Sequence, residues 1–230
     1  MFFWINDLVN LFYPEVCAAC NNGLFKGEHT ICTHCLYHLP LTNFHKTAGN
    51  PVEKQFWGKV SIQAATSLYY FNKGERVQHL IHRLKYQGEK EVGAFTGRLL
   101  GKQLLSSKLF ASADMIVPVP LHASKLRLRG FNQADFFGAG LSEAMGIPCL
   151  PDFLVKLKAS STQTNKSRFM RFENVDRLFI VNEKYPQDPL HFLLVDDVIT
   201  TGSTLASCAS RLLEIPGARV SVATIAYARL

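Results

Sequence analysis

The 230-residue chain contains no stretch approaching the roughly 18 consecutive apolar residues of a membrane helix, which excludes a span of that kind. Its opening, MFFWINDLVNLFY, is apolar but has no basic flank and no small-residue cleavage site, and Asn6, Asp7 and Asn10 interrupt it. It therefore does not read as a signal peptide, and a cytoplasmic location is expected. Trp4, Ile5, Leu8, Leu11 and Phe12 fit a short helix that docks on a neighbour. A membrane-surface helix fits less well, because the polar face carries no Lys or Arg. A Walker-type nucleotide loop is also missing, since G-x-x-x-x-G-K-[ST] occurs nowhere. There is no internal repeat and no low-complexity tract.

Acids are the scarcer charge, 18 against 25 Lys and Arg, for a formal net charge of +7. The imbalance is local. Residues 1–60 hold four bases and four acids, residues 131–230 hold ten of each, and residues 61–130 hold eleven bases against four acids. Such a belt suits an anionic partner, polyphosphate or nucleic acid, and it equally suits a plain solvated face.

Cysteines are few, six in all, yet four are gathered in CAAC and CTHC: Cys17, Cys20, Cys32 and Cys35, with eleven residues between the pairs. Two C-x-x-C knuckles can wrap one ion in four thiolates, the closed geometry of structural zinc. The intervening NNGLFKGEHTI has too little apolar mass for a core of its own, so bound metal would supply folding energy. Two disulfides are the alternative, which a reducing cytosol disfavours. His29, His34 and His38 lie nearby, but a four-thiolate site needs none of them. Cys149 and Cys208 read as buried thiols.

Beyond this module, a polar connector with Pro and Gly, residues 41–58, marks a boundary between a small unit, residues 1–45, and a larger domain, residues 59–230. In the larger domain, AATSLYYF (64–71), ADMIVPVP (113–120), HFLLV (191–195) and SVATIAYA (221–228) read as strands. FLVKL (153–157) and LFIV (178–181) are two further candidates. Helical spacing marks 76–85, 92–105, 131–145 and the segment from 202 to 215, with a basic loop before the third of these. Strands alternating with helices indicate an α/β fold whose central sheet is mostly parallel.

One stretch carries chemistry. In FLLVDDVITTGSTL, an apolar strand delivers Asp196 and Asp197 to the carboxyl edge of the sheet, where ligands of such folds bind. Thr200, Thr201, Gly202, Ser203 and Thr204 then form a hydroxyl-rich turn at the start of a helix, a natural phosphate cradle. Two carboxylates beside it would repel a phosphate, but they suit the vicinal hydroxyls of a sugar. The implied ligand is a ribose 5-phosphate substituted at C1.

LLVDDVITTGST resembles the phosphoribosyl pyrophosphate (PRPP) motif of type I phosphoribosyltransferases. That resemblance implies the fold of those enzymes, Mg²⁺ bound with PRPP, Asp196 and Asp197 on the ribose hydroxyls, and Thr200–Thr204 on the 5′-phosphate. The cysteine knuckle, LKYQG (84–88), VPVPLHASKLRLRGFNQA (117–134) and TQTNKSRFMRFEN (162–174) together resemble the ComF/GntX family. This family combines an N-terminal zinc-ribbon-like module with a phosphoribosyltransferase domain and is linked to DNA uptake in competence or to use of external DNA. VPVPLH is placed like the family's pyrophosphate loop, with Lys125, Arg127 and Arg129 just after it. Lys85, and Lys166, Arg168 and Arg171 in the stretch matching a closing loop, are further anion candidates. The 6-oxopurine transferases usually carry a third aspartate where this chain has Thr200, which argues against hypoxanthine or guanine as acceptor.

Two functions are therefore expected in competition. One is a Mg²⁺-dependent phosphoribosyltransferase whose acceptor is not legible. The other is a single-strand DNA-binding factor that uses the PRPP site as a sensor, with Tyr69, Tyr70, Tyr86 and Phe131 available to stack on bases. DNA-uptake proteins are the partners that the resemblance implies.

Overall fold

The structure, a computed structural model, describes residues 15–157, 178–185 and 190–229. The expected N-terminal helix and the basic stretch 162–174, with Lys166, Arg168 and Arg171, lie outside the described residues.

In chain order, the elements are α1 (Thr33–His38), β1 (Ala64–Phe71), α2 (Arg76–Tyr86), α3 (Lys90–Leu105), β2 (Met115–Pro118), α4 (Ala123–Arg129) and α5 (Gln133–Met145). They are followed by β3 (Leu154–Lys156), β4 (Phe179–Val181), β5 (His191–Ile199), α6 (Ser203–Leu212) and β6 (Arg219–Ala228). Strands β1, β6, β5 and β2 form one sheet in that order, parallel throughout. The two central strands are buried without alternation over most of their length, because both faces are covered. Helix α2 turns Val77, Leu80, Ile81 and Leu84 inward, as its spacing requires, and α6 does the same with Leu205, Ala209 and Leu212 on the other face.

Helices α3 and α5 meet almost backbone to backbone. A Cβ at Gly97 would run into the Phe137 carbonyl, and one at Gly140 into the Ala94 carbonyl, so only glycine permits this approach.

Three segments differ from what the local sequence suggests. The expected basic loop after β2 folds instead as α4. His122 caps its start by accepting from the Ser124 amide at 3.2 Å, and Gly130, in the left-handed region at φ 77°, ends it. β5 continues four residues past Val195, through both aspartates to Ile199. β3 and β4 are strands but stand outside the main sheet as an antiparallel ribbon, with Phe153, Leu154 and Phe179 buried beneath it.

The cysteine module packs on the same core as α2. Cys17, Ala19 and Cys35 are fully buried in one cluster with Leu68, Leu80 and Leu84. Residues 41–58, polar in composition, are also held in place by the sheet: two 3₁₀ turns, Phe44–Lys46 and Glu53–Phe56, bury Val52 and Phe56. Among the described residues, no helix is long and apolar enough to cross a membrane.

Candidate functional site

The acid pair sits where β5 outruns its neighbour. β2 ends with Pro118 opposite Val195, and the last bond between the two runs is Val119 N–H to the Val195 carbonyl, 2.8 Å. Pro120 has no N–H with which to continue the ladder. Asp196 and Asp197 therefore overhang the carboxyl edge on the β2 side, while β6 still supports them on the other.

Because side chains alternate along a strand, the two acids face opposite ways. Asp197 lies on the α2 side, where Lys85 Nζ meets its Oδ1 at 2.9 Å with both side chains largely shielded. Asp196 lies on the α6 side, close enough for its charge to act on Cys208. The Asp197 amide donates to Asp196 Oδ1 at 2.8 Å. Desolvation first, and then the charge of Asp197, push Asp196 up to about 7; that amide, Lys85 and Lys125 pull against the rise without cancelling it. An acid that titrates near neutrality beside one held by a lysine makes the pair chemically unequal.

After Ile199 the chain turns through Thr200, Thr201 and Gly202 into α6. Gly202 adopts φ 72°, a conformation that L side chains rarely take, and no side chain caps the helix. The first amides of α6 have no partner within the helix, and the turn that carries them lines a hollow of about 70 Å³ bounded by Asp196 and residues 198–205. Thr201 Oγ1 and Ser203 Oγ lie 3.1 Å apart at its mouth. Of the acid pair, Asp196 lines this hollow, whereas Asp197 faces Lys85 on the other side of the strand.

The other expected residues divide. Lys125 on α4 is near enough for its charge to bear on Asp196. Arg129 instead covers the ring of Tyr86 at 5.4 Å and donates to Gln133 Oε1 at 2.7 Å. Arg127 projects from α4, which buries none of its residues. Lys85, expected as an anion ligand, is engaged by Asp197. The basic belt is partly neutralised: Arg83 pairs with Glu89 at 2.5 Å, and Arg98 with Glu91 and Glu143. Of the proposed stacking aromatics, Tyr69 and Phe131 are buried, Tyr70 is half-buried, and Tyr86 is exposed.

Two contacts at the phosphate turn had no local sequence signal. Lys59 Nζ donates to the Thr201 carbonyl at 2.7 Å, and the Gln55 side chain backs Gly202.

At the other end of α2, the sulfurs of Cys17, Cys20, Cys32 and Cys35 all lie within 4.8 Å of one another. Tetrahedral ligands at zinc–sulfur distance stand about 3.8 Å apart, so the four fit a single ion. Burial pushes the Cys32 and Cys35 thiols up, whereas at Cys17 the amides of Cys32, Cys20 and Ala19 outweigh burial and bring it to about 7. His29, His34 and His38 are exposed. The module grips α2 directly: His79 Nδ1 lies 3.1 Å from the Ala19 carbonyl, and Arg83 donates to Asn21.

No protein-family model matches the chain. It is 34% identical over 212 residues to the DNA utilization protein YhgH of Salmonella typhimurium, covering 90% of this chain and 88% of that protein. It is 27% identical over 233 residues to Competence protein F of Haemophilus influenzae, covering 94% of this chain and 99% of that protein. Among solved structures, the glutamine PRPP amidotransferase of B. subtilis aligns with 62% of this chain and only 30% of its own, at 21% identity and a TM-score of 0.43, a likeness too loose to carry weight. The identity to YhgH over nine-tenths of the sequence is of another order, and by it the chain belongs to the ComF/GntX family of Competence protein F and YhgH.

Proposed function

We propose that the protein binds PRPP with Mg²⁺, acts as a phosphoribosyltransferase on an acceptor other than a 6-oxopurine, and serves in the uptake or use of external DNA. The observation that carries this reading is a juxtaposition: two carboxylates overhang the end of β5, and Asp196 of the pair lines the hollow at the uncapped start of α6. The open amides of α6 and the hydroxyls of Thr200, Thr201, Ser203 and Thr204 hold the 5′-phosphate. Asp196 and Asp197 accept from the 2′- and 3′-hydroxyls, one from each side of the strand end. Residues 119–122 and Lys125 border the leaving-group side, with Arg127 and Arg129 further along α4. Mg²⁺, when bound with PRPP, would neutralise pyrophosphate charge; what the chain's own groups supply is orientation and fixed dipoles around the developing positive charge at C1. Cys17, Cys20, Cys32 and Cys35 hold a structural zinc. The names of the relatives, a competence protein and a DNA utilization protein, support the DNA-related role.

A second reading, a non-catalytic single-strand DNA-binding factor, is favoured by α4, which presents Arg127 and Lys125 from a helix with no buried residue, close to exposed Tyr86.

Calorimetry with Mg²⁺ and PRPP tests the first reading. Asp196→Asn and Asp197→Asn, each shown to be folded, leave a hydroxyl without its charged acceptor and should weaken binding by about ten- to a hundredfold. Thr201→Val should weaken it less. Absence of binding by the wild type, or folded acid variants that bind as well as wild type, refutes the site. Binding without pyrophosphate release across a panel of bases and amines favours the sensor over the enzyme.

A further inference from the structure

Residues 49–59 are turns around the short 3₁₀ segment Glu53–Phe56, yet they are fixed more firmly than most loops. The Asn50 side chain, 4% exposed, donates to the carbonyls of Thr47 and Ala65 at 3.0 and 2.8 Å and accepts from the amides of Val52 and Glu53 at 2.9 and 3.2 Å. Glu53, 9% exposed, accepts from the Gly49 amide and from the Ala65 amide in β1. Val52 and Phe56 have no exposure at all. A segment so tied to β1 is a strut, and its free end points at the phosphate turn. Gln55 stands against Gly202, where an added Cβ would come within 3.3 Å of the Gln55 Cβ. Lys59, itself exposed, spans 142 residues of sequence to donate 2.7 Å to the Thr201 carbonyl.

The direction of that bond matters. An anion in the hollow needs the amides of the turn to face inward, so the carbonyls must face out, where they repel the ligand least. The Gly202 carbonyl accepts from the Ala206 amide, but the Thr201 carbonyl lies one residue before that ladder begins. Here the Lys59 ammonium holds it.

We propose that Lys59, carried on the strut 49–59, is a positioning residue of the phosphate turn: by holding the Thr201 carbonyl outward, it keeps the amides of Gly202 to Thr204 aimed at the ligand's 5′-phosphate. This rests on the phosphoribosyl reading above. Lys59 lies outside the acid pair and outside the cradle itself, and because it is exposed its replacement leaves the core untouched.

The test compares wild type with Lys59→Met and Lys59→Arg in three measurements. Hydrogen exchange of the peptide covering residues 200–205, in the free protein, should quicken in Lys59→Met and remain near wild type in Lys59→Arg. Calorimetry with ribose 5-phosphate should show roughly tenfold weaker binding for Lys59→Met, restored by Lys59→Arg. Inorganic pyrophosphate with Mg²⁺, which uses the opposite end of the site, should bind all three proteins alike. Unchanged exchange, or an unchanged affinity for ribose 5-phosphate, overturns the proposal while leaving the site reading intact. Equal weakening toward pyrophosphate also overturns it, by showing a general loss of charge or of fold. Failure of the wild type to bind either ligand refutes the phosphoribosyl reading instead, and the exchange experiment then still decides whether the strut holds the turn.

Discussion

An acid pair at the edge of a sheet should cost stability, and Asp196 is where the cost is measurable. Its carboxyl is raised from an ordinary 3.8 to about 7, by desolvation first and by Asp197 second. The sign follows from linkage. Below the unfolded value both states carry the proton, and above the folded value neither does. Between the two, the native state alone keeps it, so stability is lost as pH rises through that window. Each pH unit in the window is worth about 1.4 kcal/mol, and allowing for the partial exposure of the residue leaves about 2 kcal/mol between pH 5 and pH 8. Asp196→Asn removes the titration. Urea denaturation of both proteins should then show the variant gaining about 2 kcal/mol on wild type as pH rises from 5 to 8. Asp135, raised to about 6 by burial against the pull of its hydrogen bond from Asn132, titrates in part of the same range, but equally in both proteins, so the difference isolates Asp196. On the proposed reading the ionised pair accepts from the sugar hydroxyls, so wild-type affinity for Mg²⁺ and PRPP should fall as pH drops below 7. Parallel stability profiles for the two proteins would refute the reasoning, because the carboxyl would then titrate no differently folded than unfolded.

Other consequences are simpler to state. Lys85→Met leaves a shielded Asp197 without its cation and should destabilise the protein by about 2 kcal/mol at pH 8, between the values for exposed and fully buried pairs; equal denaturation midpoints would show the pair to be incidental. Purified protein should contain one zinc per chain by elemental analysis, and Cys17→Ser should lose it. The same change should speed hydrogen exchange in α2 around His79 and Arg83, which the module grips, and unaltered exchange there would mean the module is only an appendage. Replacing Lys125, Arg127 and Arg129 with alanine should weaken single-strand DNA binding and flatten its salt dependence, whereas an unchanged slope would remove α4 from any DNA surface.

Much of this protein is written locally. The helical spacing of Val77, Leu80, Ile81 and Leu84, the unbroken apolar run of β5, and the doubled C-x-x-C are short-range patterns, so the parallel α/β class and the four-cysteine cluster could be read without coordinates. The acid pair and the small-residue turn were legible for the same reason: strand, acids and helix start are consecutive in the chain. The folding of residues 123–129 as a helix was not, because a His cap, an exposed basic face and a closing glycine give no apolar period to detect. The unequal environments of Asp196 and Asp197 depended on β2 stopping at Pro118 and on Lys85 arriving from a distant helix. No local pattern singles out Lys59, which the strut brings to Thr201. Sequence periodicity records which face of an element is buried. Which charge meets which carbonyl is decided only when elements far apart in the chain pack together, because the packing of a core fixes their positions and no local pattern encodes it.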